Sequence, residues 1–314
     1  MILQTTKLSF FQIDKISFNQ RIDNFLIKKF KKIPKSKLYN LIRKGKIRIN
    51  KKRIKPRYKL QIGDIIKVPP LKINKFHHSK KNFDKKHYKI ILKNILYEDK
   101  NLLVINKISG ISVHGGSGIK FGIIEILRLL KPKEKYLELI HRLDRYTSGI
   151  LMVAKKKSSL LYFHEQFRKQ TIKKEYVALV HGNTLFQKKV INNSLLKNNI
   201  LKKKKMVTVN ITGKVSTTIF IKKKSTSQFS LISIFPLTGR THQIRVHAAY
   251  IGHPIVLDNR YGKNVLDKNI NFKKNNNLFL HAKKITFIHP ISKKKITLCA
   301  PLNKNFKKII EKIF

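Results

Sequence analysis

Residues His141–Lys155 constrain this chain more than any other stretch. Ile150-Leu151-Met152-Val153-Ala154 is an unbroken apolar run directly after Gly149. A short run of this kind, bounded by glycine, reads as a strand buried on both faces, which belongs inside a sheet rather than at its rim. The preceding residues, His141-Arg142-Leu143-Asp144-Arg145-Tyr146-Thr147-Ser148, then form the loop that delivers the chain into the centre of that sheet, a usual place for a site. The loop holds one carboxylate, Asp144, between Arg142 and Arg145. The two guanidinium groups would keep it ionised. Spacing alone leaves two readings open, a structural ion pair and an active-site carboxylate.

The chain has 15 acidic residues against 71 basic ones, a formal charge of +56. So much positive charge suits a polyanion, and nucleic acid is the partner expected. The charge has a second cause, because a lysine excess in a chain crowded with isoleucine and asparagine is what AT-rich coding produces. Against that background the 12 arginines are informative. Five of them are Arg142, Arg145, Arg240, Arg245 and Arg260, and guanidinium pairs with carboxylate or phosphate through two parallel bonds, as lysine cannot.

A single cysteine, Cys299, rules out an intrachain disulfide and a zinc-type cysteine cluster. Its apolar neighbours predict a buried strand position. No stretch approaches the roughly 18 apolar residues of a membrane span, and the N-terminus has no apolar core of a signal peptide. A cytoplasmic protein without a membrane partner is expected. His77-His78 and the set His242, His247 and His253 are the histidines a metal could use, but neither has a recognised ligand spacing, and no metal is expected.

Residues 19–70 predict a small basic domain behind an N-terminal extension, 1–18. Ile22, Phe25, Leu26 and Phe30 have helical spacing, and a second helix from Ser36 as N-cap carries Leu38, Leu41 and Ile42 inward and stops at Gly45. Short strands follow, with a turn at Gly63-Asp64. Lys37, Arg43, Lys46, Arg48 and Arg53 give it a surface suited to RNA phosphates. Residues 71–90 lose periodicity and read as a basic linker.

The larger domain, 91–314, opens with two strand-like runs, Ile95–Asp99 and Leu102–Lys107, then a glycine-rich loop at Ser109–Gly118. That loop lacks the endings of nucleotide-binding loops, so no nucleotide cofactor is implied. Ser158 is expected to cap a helix carrying Leu160, Phe163 and Phe167. Lys173–Gly182 alternates as a strand, with Tyr176, Ala178 and Val180 on one side. Residues 192–204 read as a lysine- and asparagine-rich connection, with strands near 206–211, 216–222 and 228–235. In Leu237–His247, Thr241 is the expected N-cap, and Ile244, Ala248 and Ile251 form the buried stripe of a helix ended by Gly252. Arg240 lies just ahead of that N-terminus, where free N–H groups favour a phosphate. The C-terminal helix, with Phe306, Ile309, Ile310 and Ile313 on one face, is expected to dock on the domain.

The His141-Arg142-Leu143-Asp144 run followed by Thr147-Ser148-Gly149 resembles the catalytic signature of the pseudouridine synthases that modify large-subunit ribosomal RNA. The resemblance continues through Lys174 with Tyr176, Thr238–His247, Gly252-His253-Pro254 with Asp258, Tyr261-Gly262 and Leu280-His281-Ala282, and covers residues 95–301. The first domain resembles the S-four-like RNA-binding domain. The loop from His114 to Glu125 looks most like the C type of the family. Three positions depart from the pattern: Ile108 for a proline, Tyr146 for an acid and Leu257 for a small residue.

The resemblance implies an α+β fold, a mixed and mainly antiparallel catalytic sheet with flanking helices behind the S-four-like domain. It implies isomerisation of uridine in large-subunit ribosomal RNA, or in a ribosome-assembly intermediate, with no cofactor. Position by position, Asp144 matches the nucleophile, Tyr176 the residue that packs on uracil and Arg245 the partner of the carboxylate. Arg142 matches the side chain that helps displace the base, and Arg145, Arg240, His242 and Gln243 are further expected RNA contacts. A monomer is expected. The other readings are a synthase with D-type targets and a non-catalytic RNA-binding assembly protein.

Overall fold

A computed structural model describes residues 3–5, 7–15, 17–30, 33–74, 90–115, 121–198, 206–262, 267 and 277–314. The chain divides into two units, Met1–Asn82 and Phe83–Phe314.

The first unit carries β1 (Leu3–Thr5), β2 (Ser9–Gln12), α1 (Ile22–Lys29), α2 (Lys35–Arg43), β3 (Arg48–Ile49), β4 (Lys52–Arg53), β5 (Ile65–Val68) and β6 (Lys72–Asn74). Strands β2-β5-β3-β4 form one sheet, and β1 pairs with β6. Ile22 and Leu26 of α1 bury against Leu38 and Ile42 of α2 and against Ile47, Ile49, Ile66 and Val68. Pro34, not Ser36, precedes the first turn of α2, because proline has no N–H left to satisfy there. Gly45 (φ 64°) ends the helix as expected, with Gly45 N–H on Ile42 O and Lys46 N–H on Leu41 O. The expected extension 1–18 supplies β2 to the sheet, and 72–74 of the expected linker form β6. The rest of that linker, with His77 and His78, lies outside the described residues, except Ile90, which opens a short helical turn.

The second unit carries β7 (Ile95–Glu98), β8 (Leu102–Lys107), α3 (Ile123–Leu130), β9 (Glu138–Leu139), β10 (Ser148–Ala154), α4 (Lys157–Arg168), β11 (Lys173–His181), β12 (Lys188–Asn192), β13 (Leu195–Asn198), β14 (Met206–Val209), β15 (Thr217–Ser225), β16 (Phe229–Pro236), α5 (Gln243–Tyr250), β17 (Leu280–Ile288), β18 (Lys295–Cys299) and α6 (Lys304–Ile313). Its main sheet runs β12-β15-β16-β11-β17-β10-β8-β7, with β18 on β17 and β9 on β10. The β10–β17 pair is parallel and the other pairings among the described residues are antiparallel. Within the expected connection 192–204 lies β13, which pairs with β14, the strand expected near 206–211, as a separate ribbon; residues 199–205 lie outside the described residues.

Strand β10 is buried at every position, and the reason is visible in its alternation. Leu151 and Val153, with Leu103 and Ile105 of β8, face α3. Ile150 and Met152, with Leu102 and Val104, face Phe163 of α4. Helices on both faces leave no solvent side, so the run Ile150–Ala154 is apolar throughout. Two expectations are corrected elsewhere. Cys299 is exposed because Ile296 and Leu298 take the inward positions of β18, and α4 begins one residue ahead of Ser158, without a side-chain cap. Helix α6 docks through Phe306 and Ile309.

Candidate active site

The loop ahead of β10 is clamped from below. Lys107, at the end of β8, is 1% exposed, and its Nζ donates to the carbonyls of Ile108, Ile111 and Arg145, each at 2.9 Å. Burial pulls its pKa down to about 7, opposed by the nearby charge of Asp144, while three acceptors for three ammonium hydrogens favour the charged form. Gly110 N–H donates to Arg145 O, and Arg145 Nε donates back to Gly110 O. His141 turns its ring into the sheet, where Nε2 accepts the Met152 N–H at 3.1 Å. Burial first, and Lys174 second, lower its pKa to about 4, so it is neutral. These bonds leave Asp144 projecting from a braced loop into an open cavity of about 1650 Å³.

Arg245 holds the carboxylate. Its Nη1 donates to Asp144 Oδ2 at 2.9 Å, while Nε and Nη2 donate to Asp258 Oδ2 and Oδ1 at 2.8 and 2.7 Å. Asp258 is 1% exposed, and its Oδ1 also accepts the N–H groups of Arg260 and Tyr261. Burial opposes ionisation of both partners, but their mutual bonds outweigh it: the Asp258 carboxyl is lowered and the Arg245 guanidinium raised. Asp258 thus anchors a buried arginine that offers its remaining edge to Asp144.

Tyr176 forms another wall of the cavity. The β11–β17 register shifts between Glu175 and Tyr176, a bulge of the kind that re-aims a side chain beside a site. Burial, and then the charge of Asp144, raise the tyrosine's pKa, so the phenol keeps its proton. Lys174, also in the wall, donates to Thr238 O at 3.3 Å, and burial lowers its pKa to about 8.

The expected RNA contacts divide. Arg142 is exposed on the cavity rim. Arg145 and Arg240 are exposed as well but spend part of their guanidinium on the carbonyls of Gly110 and Val215. Gln243 is corrected: it is buried, with Oε1 accepting from Arg240 N–H and Thr238 Oγ1 and Nε2 donating to Thr217 O and Thr218 Oγ1, so no group is left for RNA. Thr241 does not cap α5; His242 takes that position at φ 53°, a left-handed geometry costing about 1 kcal/mol or more. Its ring is turned inward toward Asp144. His247 and His253 go to other partners, Thr218 Oγ1 and His181 O. In the first unit Arg43, Lys46, Arg48 and Arg53 are exposed and Lys37 is half-buried.

Lys107 and Asp258 were not singled out as site residues. Lys107 sits at the end of an apolar strand, where a lysine reads as a solvated edge, and Asp258 became a candidate only as part of a longer match. Leu257, at φ 58°, shows why a small residue is common there.

Comparison with known proteins agrees with this architecture. Residues 101–250 match the RNA pseudouridylate synthase family and residues 20–66 the S4 domain. The solved structure of human RNA pseudouridylate synthase domain containing 4 superposes with a TM-score of 0.60 at 26% identity, covering 73% of this chain and 95% of that one. The fold is therefore that of an RNA pseudouridylate synthase with an S4 domain ahead of it. The ribosomal large subunit pseudouridine synthase C of Buchnera aphidicola subsp. Acyrthosiphon pisum is 54% identical over 98% of both chains, and that of Buchnera aphidicola subsp. Schizaphis graminum 52% identical over 98% of both. The chain belongs to the ribosomal large-subunit pseudouridine synthase C family. Part of the loop that suggested this type, 116–120, lies outside the described residues.

Proposed function

We propose that this protein converts uridine to pseudouridine in large-subunit ribosomal RNA, with Asp144 acting on the ribose of a flipped uridine. The observation that carries the reading is the Asp144–Arg245–Asp258 chain, a carboxylate held by a guanidinium and presented to a cavity wide enough for a nucleotide. A buried guanidinium bound on one edge by Asp258 keeps Asp144 compensated without covering it.

The reaction breaks the bond from ribose C1′ to N1 of uracil and makes one from C1′ to C5; C5 then loses its proton and N1 gains one, so there is no net oxidation and no atom is lost. Asp144 either attacks C1′, as the carboxylate of a retaining glycosidase does, or removes the 2′ proton to leave a glycal. The detached uracil stays between the two steps, and Tyr176, uncharged and in the cavity wall, is suited to pack on its face. Flipping the nucleotide costs about a few kcal/mol, which stacking on Tyr176 and Arg142 in the vacated space would offset. Arg145 and Arg240 on the rim, and Arg43, Lys46, Arg48 and Arg53 on the S4 domain, are the basic side chains proposed to meet RNA phosphates.

We place the S4 domain at 19–70, with β2 of the preceding extension completing its sheet, and the catalytic domain at 91–314, and infer the cytoplasm as the compartment because the substrate is ribosomal RNA. Among the described residues no helix is long and apolar enough to cross a membrane. The test is to incubate the protein with a large-subunit ribosomal RNA transcript, and with RNA from assembly intermediates, and to map pseudouridine. New sites in either substrate support the reading; tight binding to both with no new site would favour a binding protein.

A further inference from the structure

His242 lies between two hydroxyl- and carboxylate-bearing neighbours, and its ring is engaged at both ends. Nδ1 is 2.7 Å from the hydroxyl of Tyr261, with the two rings edge to face at 5.5 Å. The Tyr261 oxygen in turn accepts the backbone N–H of Val207 at 3.2 Å. Nε2 faces Asp144 Oδ1 at 3.7 Å, the carboxylate oxygen to which Arg245 does not donate. A positive φ at a non-glycine residue is retained where the surroundings over-determine it, and such positions cluster at sites. Here the left-handed backbone carries the ring into the cavity wall at the start of α5, rather than out to solvent.

The network decides where the ring proton sits. Asp144 is an acceptor only, so the nitrogen facing it carries the hydrogen. Nδ1 is then bare and accepts the Tyr261 O–H. Burial keeps the phenol protonated, and burial likewise lowers the histidine's pKa, against Asp144 and with Arg245 and Arg260, so the ring is neutral. Hydrogen flows in one direction, from Val207 N–H to Tyr261, from Tyr261 to Nδ1, and from Nε2 toward Asp144. A separation of 3.7 Å in the unliganded site is of the kind that tightens when substrate orders the reacting groups.

We propose that His242 is a positioning residue for Asp144, its Nε2–H holding Oδ1 as Arg245 holds Oδ2, with Tyr261 fixing the tautomer. The carboxylate is thereby fixed at both oxygens. This assignment rests on the activity proposed above, and it replaces the RNA-phosphate contact expected of His242 from sequence.

The experiment measures kcat and KM on a large-subunit ribosomal RNA transcript for wild type, His242→Ala, His242→Gln, Tyr261→Phe and the His242→Gln/Tyr261→Phe double variant. Loss of a hydrogen bond to a charged group predicts a fall in kcat of roughly 10- to 100-fold for His242→Ala, with KM little changed. Glutamine presents an N–H at a similar reach and should recover most of that loss. Tyr261→Phe should lower kcat alone, and should add nothing in the glutamine background, where no tautomer is left to fix. A rise in KM with kcat unchanged in His242→Ala would return the residue to RNA binding. Equal losses in alanine and glutamine variants would make the ring a packing element. Either result overturns the assignment. Should the alanine variant fail to fold, the glutamine and phenylalanine arms decide alone. A wild type that makes no pseudouridine overturns the proposed activity, and this assignment with it.

Discussion

At the scale of single residues, the site depends on buried charges that are fully partnered. Asp258 keeps Arg245 in place, and removing one member of such a pair strands the other. Asp258→Asn is expected to cost about 3 kcal/mol at neutral pH and to lower kcat, as read by thermal unfolding and by turnover. The pH dependence has a definite sign. Burial tends to raise the Asp258 carboxyl, but the bonds from Arg245 lower it below its ordinary 3.8. Its stabilisation is complete above that value and fades as pH falls through the lower folded one. The gap between wild type and Asp258→Asn in acid unfolding should therefore close below about pH 4. Asp144 stood out as a carboxylate between arginines in a very basic chain, but its spacing left an ion pair and an active-site carboxylate equally open, and the family resemblance alone pointed to the nucleophile. His242 and Gln243 were legible as polar residues near a helix start but not in direction. The cap falls on His242, one residue later than Thr241, and that shift decides which side chain faces Asp144 and which braces the turn.

At the scale of elements, the site is made where β10 leaves the catalytic loop and meets β17 in the one parallel pairing described. Gly149 (φ 105°) is required there, since a Cβ would collide with the backbone of Ala282. Beside it, Ser148 Oγ and His281 Nδ1 bond at 2.8 Å, and His281 Nε2 donates to Ala300 O. Gly149→Ala is expected to lose about 2 kcal/mol or more, measured by denaturant unfolding, and to reduce activity by displacing the loop. The burial of β10 followed from its five apolar residues. Helix α5 was legible only in part. Ile244 and Ala248 are buried as the stripe required, but so are Gln243, Arg245 and His247. Their partners Thr218, Asp258 and Ser216 are distant in sequence, and periodicity carries no record of a hydrogen bond between elements.

At the scale of the whole molecule, the chain divides its work between two units with separate cores. The fold class was readable because both units keep their element order and turn glycines, whereas β2 and β6 were missed: each is short and on the rim of the first unit. The exposed Arg43 and Lys46 give a prediction at this scale. Arg43→Ala with Lys46→Ala should raise KM for RNA several-fold, roughly in step with lost phosphate contacts, and flatten its salt dependence, while kcat stays near wild type. Kinetics at two salt concentrations check it; a fall in kcat at unchanged KM would count against an RNA-holding role for this surface.

The central claim is that Asp144 performs the chemistry in the cavity that Arg245 and Tyr176 define. The direct test is Asp144→Asn, which keeps the side chain's shape and removes its charge, assayed beside wild type by mapping pseudouridine in a large-subunit ribosomal RNA transcript. The account predicts a folded variant that binds the RNA with near wild-type affinity and makes no pseudouridine at sites the wild type modifies. Pseudouridine made by Asp144→Asn at the wild-type rate would contradict it.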